Sequence, residues 1–359
     1  MINRTAFPSI SSTTWEHPAD RAALASFARI PGAADIVRRV VGSTTERSLR
    51  LAFLGEAARV TDAQFPSVHR LVREAARVLD LSPLPEVFIR LGADPGAFTY
   101  GVDRPFIMLT SAALDFWSDD ELLGVIGHEM GHILSGHAVY KTLLGLVLKA
   151  QSALSEGLLG AAAVAAVTGA LREWDRKSEL SADRAGLLAV QDSQAVYRAL
   201  MKTAGGPRVA EMDINEFFRQ AHEYAASAEG LDSVLKFLDL IGESHPFTSL
   251  RLVSLQEWER GGGYEKVLHG DYPRRDAEGA GGPDDDLRRA RESYAKEFSE
   301  SQDPLSQAAG KVMETLESLF GGARENHGDE DRASDGPAGG PAGPKSVQEL
   351  FDDIFGKRH

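Results

Sequence analysis

Apolar residues recur at helical spacing through most of the first 260 positions and at strand spacing in only one short region. After Phe65-Pro66, residues Val68, Leu71, Val72, Ala75 and Leu79 mark one helical face, with the proline suited to the first turn. Ahead of it, 34–41 and 49–60 also read as helices. Pro83-Leu84-Pro85 then forces a turn. Three short runs, 87–91, 98–102 and 106–109, carry the β-branched and aromatic residues of strands. Helical spacing returns with Leu122, Leu123, Ile126, Met130 and Ile133. Ser118 and Glu121 stand three apart before that run, so each side chain can bond the other's backbone N–H in a capping box. Trp117 and Leu122 can staple the same end, and Gly136 offers a stop. Further helices are predicted over 193–203, 214–225 and 231–241, and again from Pro246 onward. The pattern predicts an α+β fold, mainly helical, with a small β-sheet packed on the helices.

Composition sets the boundaries. The chain has 359 residues, 43% of them apolar, enough for one sizeable domain plus appendages. A net charge of −14 excludes a nucleic-acid partner, because phosphate binding needs a basic surface. Cysteine is absent, which removes disulfides, a cysteine nucleophile and any cysteine-based inhibitory switch. Residues 1–19 hold no apolar core of a secretory signal, so a cytoplasmic protein is expected. Residues 138–171 are unusually apolar, but their best run, 158–171, falls short of the roughly 20 residues that span a bilayer. Lys141, Lys149 and Glu156 interrupt what precedes it. The segment reads either as core or a lid on a cleft, or as a contact of 141–171 with a membrane surface or partner.

The chain divides into an N-terminal helical segment (1–60), a main domain (61–262) and a tail (263–359), with Gly261-Gly262-Gly263 as the end of the folded part. From Asp271 onward the tail holds 20 acidic and 12 basic residues, and its Gly- and Pro-rich stretches read as disordered linkers around a helix near 287–320. Residues 347–355 form a short acidic amphipathic peptide that can dock on a partner or on the protein itself, or simply fray.

The chemistry is concentrated at His128-Glu129-Met130-Gly131-His132. Histidines four apart on a helix share one face and can offer two ring nitrogens to one metal. Glu129 beside them can take a proton from a metal-activated water. A third ligand remains to be found. His137 follows the second histidine by five residues, where the metzincin arrangement needs six. Glu179 and Asp183 are the alternative: they lie one turn apart on a helical face shared with Gly186, whose missing side chain lets that face approach another helix. Glu179 would complete a His2Glu set with an open fourth position, and Asp183 would accept from the free N–H of a ligand histidine. From spacing alone, an ordinary solvated carboxylate pair is equally compatible.

H-E-M-G-H followed by E-L-S-A-D resembles the M48 family of zinc metallopeptidases, gluzincins that include the heat-shock protease HtpX and the CAAX prenyl protease. Residues 96–101 and 105–110 are similar to the family's substrate-edge segment and the strand after it, and His245-Pro246 with Arg251 to its H-P-x-x-x-x-R signature. The family commonly has Asn where Gly96 stands. The resemblance covers roughly residues 60–260 and implies a zincin-type domain with one Zn²⁺ on His128, His132 and Glu179. It further implies Glu129 as general base, His245 near the metal as an oxyanion donor, and Arg251 holding Asp183. Phe98, Thr99 and Tyr100 become candidates for the edge that binds extended peptide or unfolded protein. The expected activity is endopeptidase hydrolysis. The alternative from another class is a non-catalytic, metal-containing partner-binding module, which would have no use for Glu129.

Overall fold

The computed structural model describes residues 4–21, 43–101, 103–156, 160–226 and 248–275. The order of elements is α1 (Ser43–Glu56), β1 (Ala58–Arg59), α2 (Pro66–Leu79), β2 (Glu86–Arg90), β3 (Ala97–Tyr100), β4 (Phe106–Thr110) and α3 (Ser111–Phe116). Then come α4 (Asp119–Leu134), α5 (His137–Glu156), α6 (Gly160–Val190), α7 (Ser193–Gly205), α8 (Ile214–Ala226), α9 (Thr248–Arg260) and α10 (Gly263–Leu268). The architecture is α+β, with one four-stranded mixed sheet in the order β1-β2-β4-β3. β2 and β4 pair in parallel, and β3 lies antiparallel on β4 at the sheet's edge.

Strand periodicity distributes the sheet's side chains to two faces. Phe88, Phe106 and Met108 pack with Phe53 of α1 in a small aromatic cluster. Val87, Ile89, Ile107 and Leu109 face the main core with α2, α4 and the C-terminal part of α6. The expected helix over 49–60 is corrected at its end. Ala58 and Arg59 leave the helix to pair with Ile89 and Phe88, and Val60 N donates to Val87 O at 2.8 Å. Joining the sheet gives these backbone groups ladder partners that a fraying helix end lacks.

The chain's first described segment is not an appendage. Residues 4–20 run as an arm across the domain and bury Phe7, Ile10 and Trp15 in the core. Arg4 donates to Val190 O and pairs with Asp120 at 2.6 Å. The folded part also extends past the glycine run at 261–263. Gly262, at φ 77°, is the N-cap of α10, which buries Tyr264 and Val267. Beyond α10, Ser11 N donates to Pro273 O and Arg275 N donates to Ser9 O, tying residues 273–275 to the arm. The predicted 34–41, 231–241 and 287–320 helices and the peptide at 347–355 lie outside the described residues.

α5 and α6 occupy the apolar stretch. Ala138, Tyr140, Leu143, Leu144 and Leu171 are buried, in keeping with a core role for this part of it. No described helix is long and apolar enough to cross a membrane.

Candidate metal centre and active site

The helix that carries the paired histidines begins as its sequence dictates. Ser118 accepts from Glu121 N, and Glu121 Oε2 accepts from Ser118 N at 2.8 Å, completing the capping box. Such a cap is worth ~1 kcal/mol and fixes where α4 starts, hence which face its later residues present. Glu121 also pairs with Lys202 of α7 at 2.7 Å, so the cap is anchored to a neighbouring helix.

Small residues set the distance between α4 and α6. A Cβ on Gly127 would stand 2.2 Å from Ala189 Cβ, one on Gly131 2.5 Å from Ala185 Cβ, and one on Gly186 2.7 Å from Gly124 O. The helices therefore approach more closely than any other residue at these positions would permit. That approach brings Glu179 to the histidines. His128 Nε2 lies 3.3 Å from Glu179 Oε2, His132 Nε2 3.2 Å from Glu179 Oε1, and the two Nε2 atoms are 3.2 Å apart. Each of the three residues offers one donor atom to a common point, and all three are buried.

The set fits a divalent metal on charge as well as geometry. Glu129, Asp175, Glu179 and Asp183 stand against two side-chain cations, Lys141 and Arg251. The carboxylates outnumber these two cations, and a buried unbalanced charge is costly, so a further cation is favoured here. Protons feel the same deficit. Burial pushes the His128 imidazole down, but the Glu179 and Asp183 carboxylates outweigh it and raise the ring to about 9. Burial and the nearby Lys141 ammonium hold His132 well below the usual histidine range. Glu179 would rise on burial, yet Lys141, His128 and Arg251 together hold it well below the usual carboxylate range.

Around this set the outer contacts are dense. Asp183 Oδ1 lies 3.0 Å from His128 Nδ1, so the ring's other nitrogen is free for a metal. Arg251 of α9 donates to both Asp183 oxygens at 2.7 and 2.5 Å and lies 3.3 Å from Glu179 Oε2. Glu129 is buried at the cleft wall, and burial raises its carboxyl against the opposing pull of His128, Lys141 and Thr99. Thr99 Oγ1 donates to Glu129 Oε2 at 2.6 Å. The group opens onto a cleft of about 840 Å³ lined by the β3 segment, His128, Glu129, Lys141 and Arg251.

Residues 62–259 match the sequence profile of peptidase family M48. The chain belongs to that family. Over 267 residues it is 30% identical to the plastoglobule-localized metallopeptidase 48, chloroplastic, of Arabidopsis thaliana, covering 73% of this chain and 77% of that protein. It is 26% identical over 245 residues to the protease HtpX homologs of Burkholderia thailandensis and Burkholderia mallei, covering 58% of this chain and 80% of each. No solved structure matches. As an M48 metallopeptidase the chain is a metal-dependent hydrolase that acts on peptide substrates.

Of the residues picked out from the sequence, His128, His132, Glu179, Glu129, Asp183 and Arg251 gather at one point. His245 lies outside the described residues. The candidate substrate edge divides its side chains between two faces. Strand alternation puts Phe98 and Tyr100 on one face of β3, rings stacked 6.3 Å apart, and turns Thr99 inward to 1% exposure against Glu129. The Thr99 side chain thus holds the glutamate, while its backbone remains part of the edge strand. His137, weighed as a third ligand, contacts His132 on Nδ1, away from the converging Nε2 atoms. It is also buried, not a polar residue left at the helix end. Lys141, taken as a charge breaking an apolar run, reaches Glu179 at 2.7 Å and Asp175 at 2.8 Å. Its spacing of four from His137 was the signal that it shares the inward face of α5.

Proposed function

We propose that this chain is a zinc-dependent endopeptidase cutting extended or unfolded polypeptides, with His128, His132 and Glu179 as the Zn²⁺ ligands. The carrying observation is the convergence of His128 Nε2, His132 Nε2 and Glu179 to within 3.3 Å, with Glu129 beside them in an open cleft. Two histidines and one carboxylate are a catalytic rather than a structural zinc set, because a fourth position stays free. When bound, zinc supplies Lewis acidity that polarises the scissile carbonyl and acidifies water. Glu129 takes the proton of the attacking water and delivers it to the leaving amine nitrogen. Its raised affinity for protons, set by burial, suits both halves of that transfer. Thr99 occupies Oε2, leaving Oε1 as the oxygen that receives the proton.

β3 supports the choice of substrate. As an edge strand it can add an extended peptide through backbone hydrogen bonds, a mode that tolerates many side chains. His245 is assigned as oxyanion donor on the resemblance of its H-P-x-x-x-x-R motif alone. The test is Glu129→Gln, which removes the base but no ligand. The variant should keep about one zinc per chain and lose hydrolysis of an unfolded protein substrate. Undiminished hydrolysis would remove Glu129 from the mechanism, and loss of zinc would make it a ligand.

A further inference from the structure

The two ligand histidines are backed differently. His128 leans on Asp183 and Arg251, both named above. Behind His132 lies a second chain of contacts that the proposed reaction does not use. His132 Nδ1 lies 3.0 Å from His137 Nδ1, and His137 Nε2 lies 3.2 Å from Asp20 Oδ2, out of line for a full hydrogen bond. Ser181 Oγ donates to Asp20 Oδ2 at 2.6 Å, and His17 N donates to Ser181 Oγ at 2.8 Å. Asp20, His137 and His132 are each 1% exposed. Asp20 comes from the N-terminal arm, more than a hundred residues away in sequence. Trp15 of the same arm donates from Nε1 to Ser135 Oγ, at the C-terminal end of the histidine helix.

We infer that Asp20 and His137 are positioning residues that fix the ring of His132 for metal binding, so that the N-terminal arm is part of the metal site. The inference rests on the zinc reading. If His132 gives its Nε2 lone pair to a metal, its proton sits on Nδ1 and is donated to His137 Nδ1. His137 must then carry its own proton on Nε2, the atom that faces Asp20. Each proton location dictates the next, and a carboxylate at the end of the chain selects that arrangement over its mirror. Without Asp20, His137 can turn its N–H toward His132, set two donors against each other and swing the ligand ring. Outer partners of this kind commonly change metal affinity by about 10–100-fold when removed.

The experiment uses the full chain. Zinc affinity is measured by competition with a chromophoric chelator, and the visible absorption of the Co²⁺-substituted protein reports ligand geometry without turnover. Asp20→Asn and His137→Gln should each weaken zinc by about 10–100-fold and alter the cobalt spectrum. Ser181→Ala, which removes one donor from Asp20 and disturbs packing least, should give a smaller loss in the same direction. Arg4→Ala loosens the same arm at its Asp120 contact without touching the chain of histidines, and should change neither reading. Wild-type affinity and spectrum in both Asp20→Asn and His137→Gln would overturn the inference. So would an equal loss in Arg4→Ala, which would reduce the arm to general packing. A wild-type chain that takes up no zinc would overturn the zinc reading and this inference together.

Discussion

Replacing Gly131 by alanine tests whether the spacing of α4 and α6 sets the metal site. The new Cβ would stand 2.5 Å from Ala185 Cβ and 3.5 Å from Ala182 Cα. Apolar carbons settle at roughly 3.5–4.0 Å, so the helices must part by about 1 Å. Metal–ligand bonds tolerate a change of only about 0.2 Å. Glu179 rides on α6 and both histidines on α4, so a shift of that size exceeds the tolerance several-fold. Overpacking costs ~1–3 kcal/mol, against ~1 kcal/mol gained by replacing glycine inside a helix. Gly124 on the same helix is the control. Its added Cβ would meet Val190 and Val196 at 3.6 Å, an ordinary contact, so Gly124→Ala keeps the helical gain without the clash. Urea melts of the metal-free proteins and zinc competition with a chelator should therefore separate the two. Gly131→Ala should melt earlier and bind zinc at least tenfold more weakly, while Gly124→Ala should melt no earlier than wild type and bind normally. A Gly131→Ala protein with wild-type zinc affinity would refute the reasoning, as would equal losses at both glycines.

Zinc uptake should be coupled to protons. With His128 raised to about 9 in the metal-free site, binding at pH 7 should release about one proton per chain, and affinity should fall about tenfold per pH unit below 9. The sign follows because the proton occupies the lone pair the metal needs. Calorimetry in buffers of different ionisation enthalpy measures the release, and a pH-independent affinity would contradict the charge balance. Thr99→Val keeps the volume but leaves Glu129 Oε2 without its donor, a loss worth ~1–3 kcal/mol. Steady-state kinetics should show kcat reduced by about one to two orders of magnitude with zinc content unchanged, and an unaltered kcat would show that the hydroxyl does not orient the base.

What could be read in the sequence was what local rules decide. The capping box, the apolar face and the i, i+4 histidines lie within seventeen residues, so 118–134 declared both a helix and a metal face. Glu179 and Asp183 were legible as one face, but only the absent Cβ of Gly186 hinted at what that face would meet. That the Thr99 side chain meets Glu129 was not legible, because residues 98–100 look alike to a strand pattern until one knows which alternate position faces α4. β1 was hidden because Ala58 and Arg59 have no strand propensity of their own and are strands only by pairing with β2. Asp20 gave no signal, since the arm has no periodicity and its partners are far along the chain, and His137 could be weighed only as a ligand while Asp20 behind it was out of sight. Lys141 was hidden by its surroundings: a lone charge in an apolar run looks like an interruption until two carboxylates from another helix are seen beside it.

The interlock of the arm with residues 273–275 orders events in time. During synthesis the arm leaves the ribosome first, yet Ser9 and Ser11 meet their partners at Arg275 and Pro273 only after every element from α1 to α10 has been made. Arg251, which clamps Asp183, also arrives late. A nascent chain that stops inside α6 or α7 holds the H-E-x-x-H helix and Glu179 but lacks both clamps. If both clamps matter as proposed, full hydrolytic competence is expected only after residue 275 has been made, so activity measured on chains truncated after α7 should fall below that of the full chain.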